Sequence, residues 1–138
     1  FAPTVWSIIN GRSFTGASLV CIEEEVDSGA VVDSIKLLFG QTDTIREVLE
    51  LVTEAYLELL RRNFASLLDG TFLSTPQDHT LATYTCKRTD QDNCIDWTRS
   101  AEQCYNLVRA LTWPYPGAYT YCEHQKLVVW AAVVGPKR

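Results

Sequence analysis

The 138-residue chain has no methionine and begins at Phe1. A gene product starts with Met, so processing or truncation is expected to have removed the start. Histidine is scarce, with His79 and His124 alone. No apolar run approaches the ~20 residues of a membrane span, and no basic-then-apolar leader marks secretion. Nor does any block of Lys and Arg supply the clustered basic face of a nucleic-acid binder. The cysteines, Cys21, Cys86, Cys94, Cys104 and Cys122, are odd in number and include no Cys-x-x-Cys. Zinc sites and redox dithiols need close pairs, so no metal is expected. The thiols read as reduced, packed as small hydrophobes in a cytoplasmic protein.

What remains is an ordinary globular composition, 46% hydrophobic and 21% charged, of a length that suits about one domain. The charge is unevenly placed. Residues 1–70 carry 5 basic and 11 acidic side chains, and residues 71–138 carry 7 and 6. No internal repeat or low-complexity segment is present.

Along the chain, Pro3 suits the first turn of a short helix, with Trp6 and Ile9 expected on its buried side. Asn10-Gly11 is a helix stop. Ser18-Leu-Val-Cys-Ile22 has the length of a strand and runs into the acidic stretch Glu23 to Asp27. Ser28-Gly29 turns the chain into a second strand over Ala30 to Leu38. The strongest periodicity follows: Ile45, Val48, Leu49, Val52, Tyr56, Leu59, Leu60, Phe64 and Leu67 mark one apolar helix face. Thr44 and Glu47 form a capping-box pattern at its start, Gly70 stops it, and Glu58 can pair with Arg62 on the wet side.

Residues 69–96 are polar and irregular and read as a linker. Ser100 and Gln103 cap another helix, with Cys104, Tyr105, Val108 and Leu111 on one face. Trp113-Pro-Tyr-Pro-Gly117 ends it, because proline cannot continue a helix. Two strands, Ala118–Cys122 and Lys126–Val134, are expected after it, joined at Glu123-His-Gln125. Trp6, Trp97, Trp113 and Trp130 read as core residues. His79 and His124 read as solvated loop histidines. Pattern alone yields an α/β chain leading into a β-rich module, with no function attached.

A set of short motifs in order goes further. They are Asn10-Gly-x-x-x-x-Gly16, Val26-Asp-Ser-Gly29, Asp43-Thr44 opening a long helix, Pro76-Gln77, Ala82-Thr-Tyr84, Lys87-Arg88, Ile95-Asp-Trp97, Val108-Arg-Ala110 and Pro114-Tyr-Pro-Gly-Ala118. Taken together they resemble the folate-dependent formyltransferase family over essentially the whole chain. The resemblance implies a partial Rossmann-like formyltransferase domain, a linker, a helix, and the first hairpin of a β-barrel-like (OB-type) C-terminal domain. Residues 1–70 would be the second half of the catalytic domain, 71–98 the linker, and 99–138 the start of the C-terminal domain.

The implied reaction moves a formyl group from N10-formyltetrahydrofolate to a primary amine. The amine must be unprotonated, the oxyanion needs hydrogen-bond donors, and a proton must leave the nitrogen. The family uses an Asn, a His and an Asp. Asp27 matches the Asp, and Glu25, Val26, Asp27 and Gly29 match the loop lining the pterin pocket. The Asn and His belong to a segment that precedes the part Phe1-Ala-Pro3 resembles, so the chain reads as a middle piece, inactive by itself. Judged by its neighbours alone, Asp27 is a turn residue. Lys87 and Arg88 are candidates for substrate phosphate contacts, with surface solvation the alternative. Arg109 reads as structural, complementing a helix dipole. The motifs from Val108 to Tyr119 and Lys126-Leu-Val-Val-Trp130 look closer to enzymes that formylate a nucleotide-linked amino sugar. Methionyl-tRNA as acceptor, and a non-catalytic remnant or binding module, are the alternatives; the oligomeric state is left open.

Overall fold

The computed structural model describes residues 2–135. Their contacts divide into two compact units, one from the described parts of Phe1–Thr15, Leu38–Leu49 and Thr85–Arg138, the other from Gly16–Leu37 and Glu50–Tyr84.

The first unit opens with helix α1, Pro3–Ile9, with Pro3 in its first turn as the fixed φ of proline favours. Three backbone bonds close its end: the N–H groups of Asn10, Gly11 and Arg12 donate to Trp6, Ile8 and Ser7 at 2.9 Å each. Gly11 takes φ +65°, the left-handed conformation that stops a helix at little cost for glycine. Val5 and Ile8 are fully buried, while Trp6 and Ile9 are half-buried. The expected face was thus rotated by one residue. The indole explains it, since the Trp6 N–H donates to the Cys86 carbonyl at 3.1 Å and keeps the ring at the boundary.

Helix α1 packs on the later helix of this unit, Ala101–Leu111. That helix is capped reciprocally: the Gln103 N–H donates to Ser100 Oγ at 3.2 Å, and the Ser100 N–H to Gln103 Oε1 at 3.1 Å. Val108, Ala110 and Leu111 are buried with Val5, Ile8, Phe39, Ile45, Val48, Ile95 and Ala118, which makes one continuous core. The chain then turns through Gly117, whose N–H donates to the Leu111 carbonyl at 2.8 Å. Its φ of +90° favours glycine, and a Cβ there would also lie 2.4 Å from Val128 Cγ1, so that side chain would have to move.

An antiparallel hairpin follows, Ala118–Cys122 against Gln125–Val129, in register from Ala118 opposite Val129 to Cys122 opposite Gln125. The turn is Glu123-His124 alone, both with positive φ, the two-residue geometry that matches strand twist. Gln125 therefore joins the strand rather than the turn. The strand ends at Val129 rather than the expected Val134, because among the described residues only Cys122 to Ala118 offer it a partner. His124 lies in this turn, as a solvated loop histidine. Trp97, Trp113 and Trp130 are exposed rather than core: the Trp97 indole N–H donates to Thr120 Oγ1 at 2.8 Å.

The two earlier strands, β1 (Phe14–Val20) and β2 (Val31–Leu38), form the other two-stranded sheet. The expected strand at Ser18–Ile22 lay too far along the chain, and Ile22 is 99% exposed. The inward positions of β1 are the small Thr15 and Ala17, which a search for apolar runs passes over. Gly16 admits the close approach of β2, since a Cβ there would meet the Ile35 carbonyl at 3.1 Å.

The long helix α2, Ile45–Asp69, begins where Thr44 pairs with Glu47: the Thr44 N–H donates to Glu47 Oε2 at 2.8 Å, and its hydroxyl binds the same oxygen. That bond holds the Glu47 carboxyl below its ordinary value. Gly70 ends the helix at φ +67°, and Glu58 pairs with Arg62 at 2.8 Å. In the second unit, Ala17, Ala55 and Leu59 make a small core with Ile35 and Leu37 packed on it. Tyr56, Leu60 and Phe64, expected on the buried face, are exposed, Phe64 to 60%. The apolar stripe of α2 is wider than the surface those few neighbours cover.

No helix among the described residues is long and apolar enough to cross a membrane.

Candidate functional site

The loop between β1 and β2, residues 21–30, holds four of the six candidate residues. Its base is tied by the Cys21 N–H donating to the Ala30 carbonyl at 2.9 Å. Gly29 lies against Cys21, where a Cβ would fall 1.9 Å from the Cys21 carbonyl oxygen, so any side chain would force the loop apart. At the tip, Ser28 donates its N–H (3.4 Å) and its Oγ–H (2.9 Å) to the Glu25 carbonyl. This is the local hydroxyl-to-backbone bonding that makes serine a turn residue.

Asp27 occupies that turn with φ +59°. The left-handed conformation is uncommon outside glycine, and Asp tolerates it better than most residues. Its turn role and its candidacy as a functional carboxylate therefore coexist. The Asp27 backbone carbonyl is engaged, accepting from Gln77 Nε2 at 2.8 Å, and the same nitrogen donates to the Gly29 carbonyl at 2.6 Å. Among the described residues the Asp27 carboxylate has no hydrogen-bond partner and is exposed. Glu25 is exposed beside it, and Val26 is 91% exposed. The loop thus brings together an open carboxylate, an uncovered aliphatic side chain and a glycine-dependent backbone. Such a tip can lay apolar surface against a flat ring and direct a carboxylate at a polar group.

Gln77 was legible as part of the Pro76-Gln77 motif but not as a clamp on this loop. Its neighbour Thr75 exchanges both backbone bonds with Val31 at 2.8 Å, which lays residues 75–77 along the loop's return limb. His79 follows in a short turn of 3₁₀-helix whose N-cap is Asp78, and it is exposed.

The other two candidates fall in the first unit. Lys87 is exposed. Arg88 is half-buried, donates to Asn93 Oδ1 at 3.3 Å and stacks over the Tyr115 ring at 5.6 Å from its centroid. Burial lowers its pKa from the ordinary value, though a guanidinium stays charged at any physiological pH.

Arg109 is more deeply placed than a surface dipole partner, at 4% exposure. It donates to Asn106 Oδ1 at 2.8 Å, to the Asp43 carbonyl at 2.7 Å and to the Gly40 carbonyl at 3.3 Å. Asp43 in turn accepts the Gly40 N–H at 2.7 Å. The guanidinium therefore locks the turn that leads into α2, and burial lowers its pKa. Beside it opens a cavity of about 620 Å³, lined in part by Arg12, Gln41, Thr42, Tyr105 and Arg109. A second, of about 590 Å³, is more polar and is bounded by Trp6, Asn10, Asp96, Arg99 and Gln103.

Comparison with known proteins gives these positions a context. Residues 87–138 match the family model described as formyl transferase, C-terminal domain. A 4-N formyltransferase from Francisella tularensis shares the fold at TM-score 0.81 and 23% identity, over 98% of this chain and 57% of its own. An N-formyltransferase from Helicobacter canadensis, solved with folinic acid and dTDP-3-aminofucose, matches at TM-score 0.74 and 20% identity, over 89% and 46%. A methionyl-tRNA formyltransferase from Clostridium thermocellum matches at 0.75 and 19%, over 97% and 57%. The chain thus spans about half the length of these relatives.

Proposed function

We propose, for a chain whose residues 87–138 match the formyl transferase C-terminal domain model, a part in formyl transfer from N10-formyltetrahydrofolate to a primary amine. On this reading residues 1–70 complete a Rossmann-like catalytic domain, 71–98 link it onward, and 99–138 begin a β-barrel-like, OB-type domain. The matched segment starts at residue 87, inside that linker. The cytoplasm is the proposed compartment; the cysteines are free, but Cys86 and Cys122 are exposed and the other three half-buried, so they are not packed in a core as expected.

The single observation that carries the reading is the loop tip. Among the described residues Asp27 presents a carboxylate without a hydrogen-bond partner, next to the uncovered Val26, on a backbone that glycine at 29 alone permits. Those residues fit a reduced pterin in kind: Val26 supplies apolar surface for the flat ring and Glu25 to Gly29 supply the loop that borders it. The cosubstrate brings the activated formyl carbon. Asp27 holds the charge that orients a protonated partner and helps take the proton released when the amine attacks. In the family this resembles, that partner is a histidine, which with an asparagine belongs to the segment preceding the part like Phe1-Ala-Pro3.

For the acceptor we favour a nucleotide-linked amino sugar. The support is the motif order from Val108 to Trp130 and the absence of a basic block, since tRNA binding rests on phosphate neutralisation by Lys and Arg. Lys87, exposed and cationic, is the proposed contact for the acceptor's phosphates, with Arg88 beside it in sequence. A tRNA acceptor and a non-catalytic binding module remain the competing readings.

The test uses the protein at its natural full length with N10-formyltetrahydrofolate and either dTDP-3-aminofucose or methionyl-tRNA. Asp27→Asn should lower the rate about 10²–10⁴-fold. An unchanged rate removes Asp27 from the reaction. Formylation of the tRNA alone, weakening steeply as salt rises, would reverse the choice of acceptor.

A further inference from the structure

Gln77 makes two hydrogen bonds whose acceptors share one loop. Its Nε2 donates to the Asp27 carbonyl at 2.8 Å and to the Gly29 carbonyl at 2.6 Å. A primary amide carries two N–H groups on one nitrogen, so a single side chain can satisfy both acceptors, and the opposite orientation would set oxygen against oxygen. Thr75 and Val31 exchange their backbone bonds at 2.8 Å just before it. The Gln77 carboxamide therefore continues that short ladder toward the loop tip.

Asp27 needs such a restraint. A non-glycine residue in the left-handed region is uncommon and persists where its surroundings over-determine it. Ser28 bonds to Glu25 on one side of it, and Gln77 holds the carbonyls of 27 and 29 on the other. With the donor removed, both carbonyls turn to water and the peptides on either side of Ser28 lose one of their two restraints, keeping the Ser28 bonds to Glu25. The direction of the Asp27 carboxylate changes with them.

We propose that Gln77 is a positioning residue for the formyl-transfer reaction: its carboxamide, bridging the Asp27 and Gly29 carbonyls, sets the loop conformation that presents the Asp27 carboxylate. This rests on the reading of Asp27 under Proposed function. A misplacement of about 1 Å at a reacting group lowers rates about 10²-fold, which sets the size of the effect.

Gln77→Met keeps the length and volume of the side chain and removes its donors. In the full-length protein, with N10-formyltetrahydrofolate and dTDP-3-aminofucose, it should lower kcat about 10–10²-fold and leave the acceptor KM unchanged. Combined with Asp27→Asn it should add nothing further, because residues acting through one group are non-additive. Losses that multiply, or an unchanged kcat in Gln77→Met, overturn the positioning role while leaving Asp27 in place. An Asp27→Asn variant of full activity overturns both, so the two failures are distinct. Gln77→Glu gives a second route should the Met variant fold poorly. Its carboxylate repels the two carbonyls, and only its protonated form can donate to one of them, so its activity relative to the parent should recover as pH falls. A flat ratio counts against the clamp. Without reference to turnover, the ¹⁵N spectrum of the chain should show the amide peaks of residues 26–29 displaced in Gln77→Met; peaks that stay in place overturn the proposal.

Discussion

The two units of this chain divide the work of folding unequally. The first buries ten apolar residues in one cluster and caps its later helix reciprocally at Ser100 and Gln103. The second buries four, Ala17, Val52, Ala55 and Leu59, of which three form one small cluster, and leaves Tyr56, Leu60 and Phe64 of α2 in solvent. Yet the second unit holds the loop with the open carboxylate. Loops that bind or react are drawn from the less stable parts of a fold, since they must expose backbone and side chains that a core would cover. The difference places stability with Val5, Ile8, Val108 and Leu111, and candidate chemistry with residues 25–29.

That contrast can be broken by substitution, beginning with the largest effect expected. Ile8→Ala, at a fully buried site in the larger core, should destabilise by about 2–5 kcal/mol. Leu59→Ala, in the smaller core, should fall at the low end of that range, since exposed neighbours can collapse toward the gap. Chemical denaturation of both variants checks the ranking, and equal losses would erase the difference between the units. Arg109→Met tests the buried guanidinium. Losing its charge-assisted bonds to the Asp43 and Gly40 carbonyls should cost about 1.5–3 kcal/mol, read from the same denaturation curves. A loss inside 0.5 kcal/mol, the scale of ordinary surface changes, would return Arg109 to the surface-dipole role.

Smaller effects sharpen the picture. Ser100→Ala removes the oxygen that accepts the Gln103 N–H and should cost about 1 kcal/mol, with amide exchange quickening in the first turn of that helix. Phe64→Lys should change stability by no more than about 0.5 kcal/mol, because the ring is largely in solvent. It should also reduce self-association measured by sedimentation, because exposed apolar patches drive aggregation. A large loss of stability from Phe64→Lys would mean that the stripe is covered and the second unit better packed than its core residues indicate.

How far the sequence could be read depended on whether a signal was local. Thr44–Glu47, Gly70, Ser100–Gln103 and the Glu58–Arg62 pair lie three or four residues apart or at a single position, and all were legible. The misplacement of β1 came from trusting the run Ser18–Ile22, when the inward residues are Thr15 and Ala17. The α1 face was rotated because Trp6 answers to the Cys86 carbonyl, 80 residues away. The four loop candidates are neighbours in sequence, so their proximity was certain; their conformation was not.

From sequence alone came the order of elements, the helix caps, and the motif order that resembles a formyltransferase. These depend on residues close along the chain or on composition, where propensity and hydrogen-bonding reach are local. Tertiary structure alone decided which part of the α2 stripe is covered, that Arg109 is buried against the 40–43 turn, and that Gln77 holds the Asp27 loop across some 50 residues of chain. Each of these is a pairing between distant positions. Burial and hydrogen bonding of that kind are set by which surfaces meet, and no pattern within either partner specifies the other.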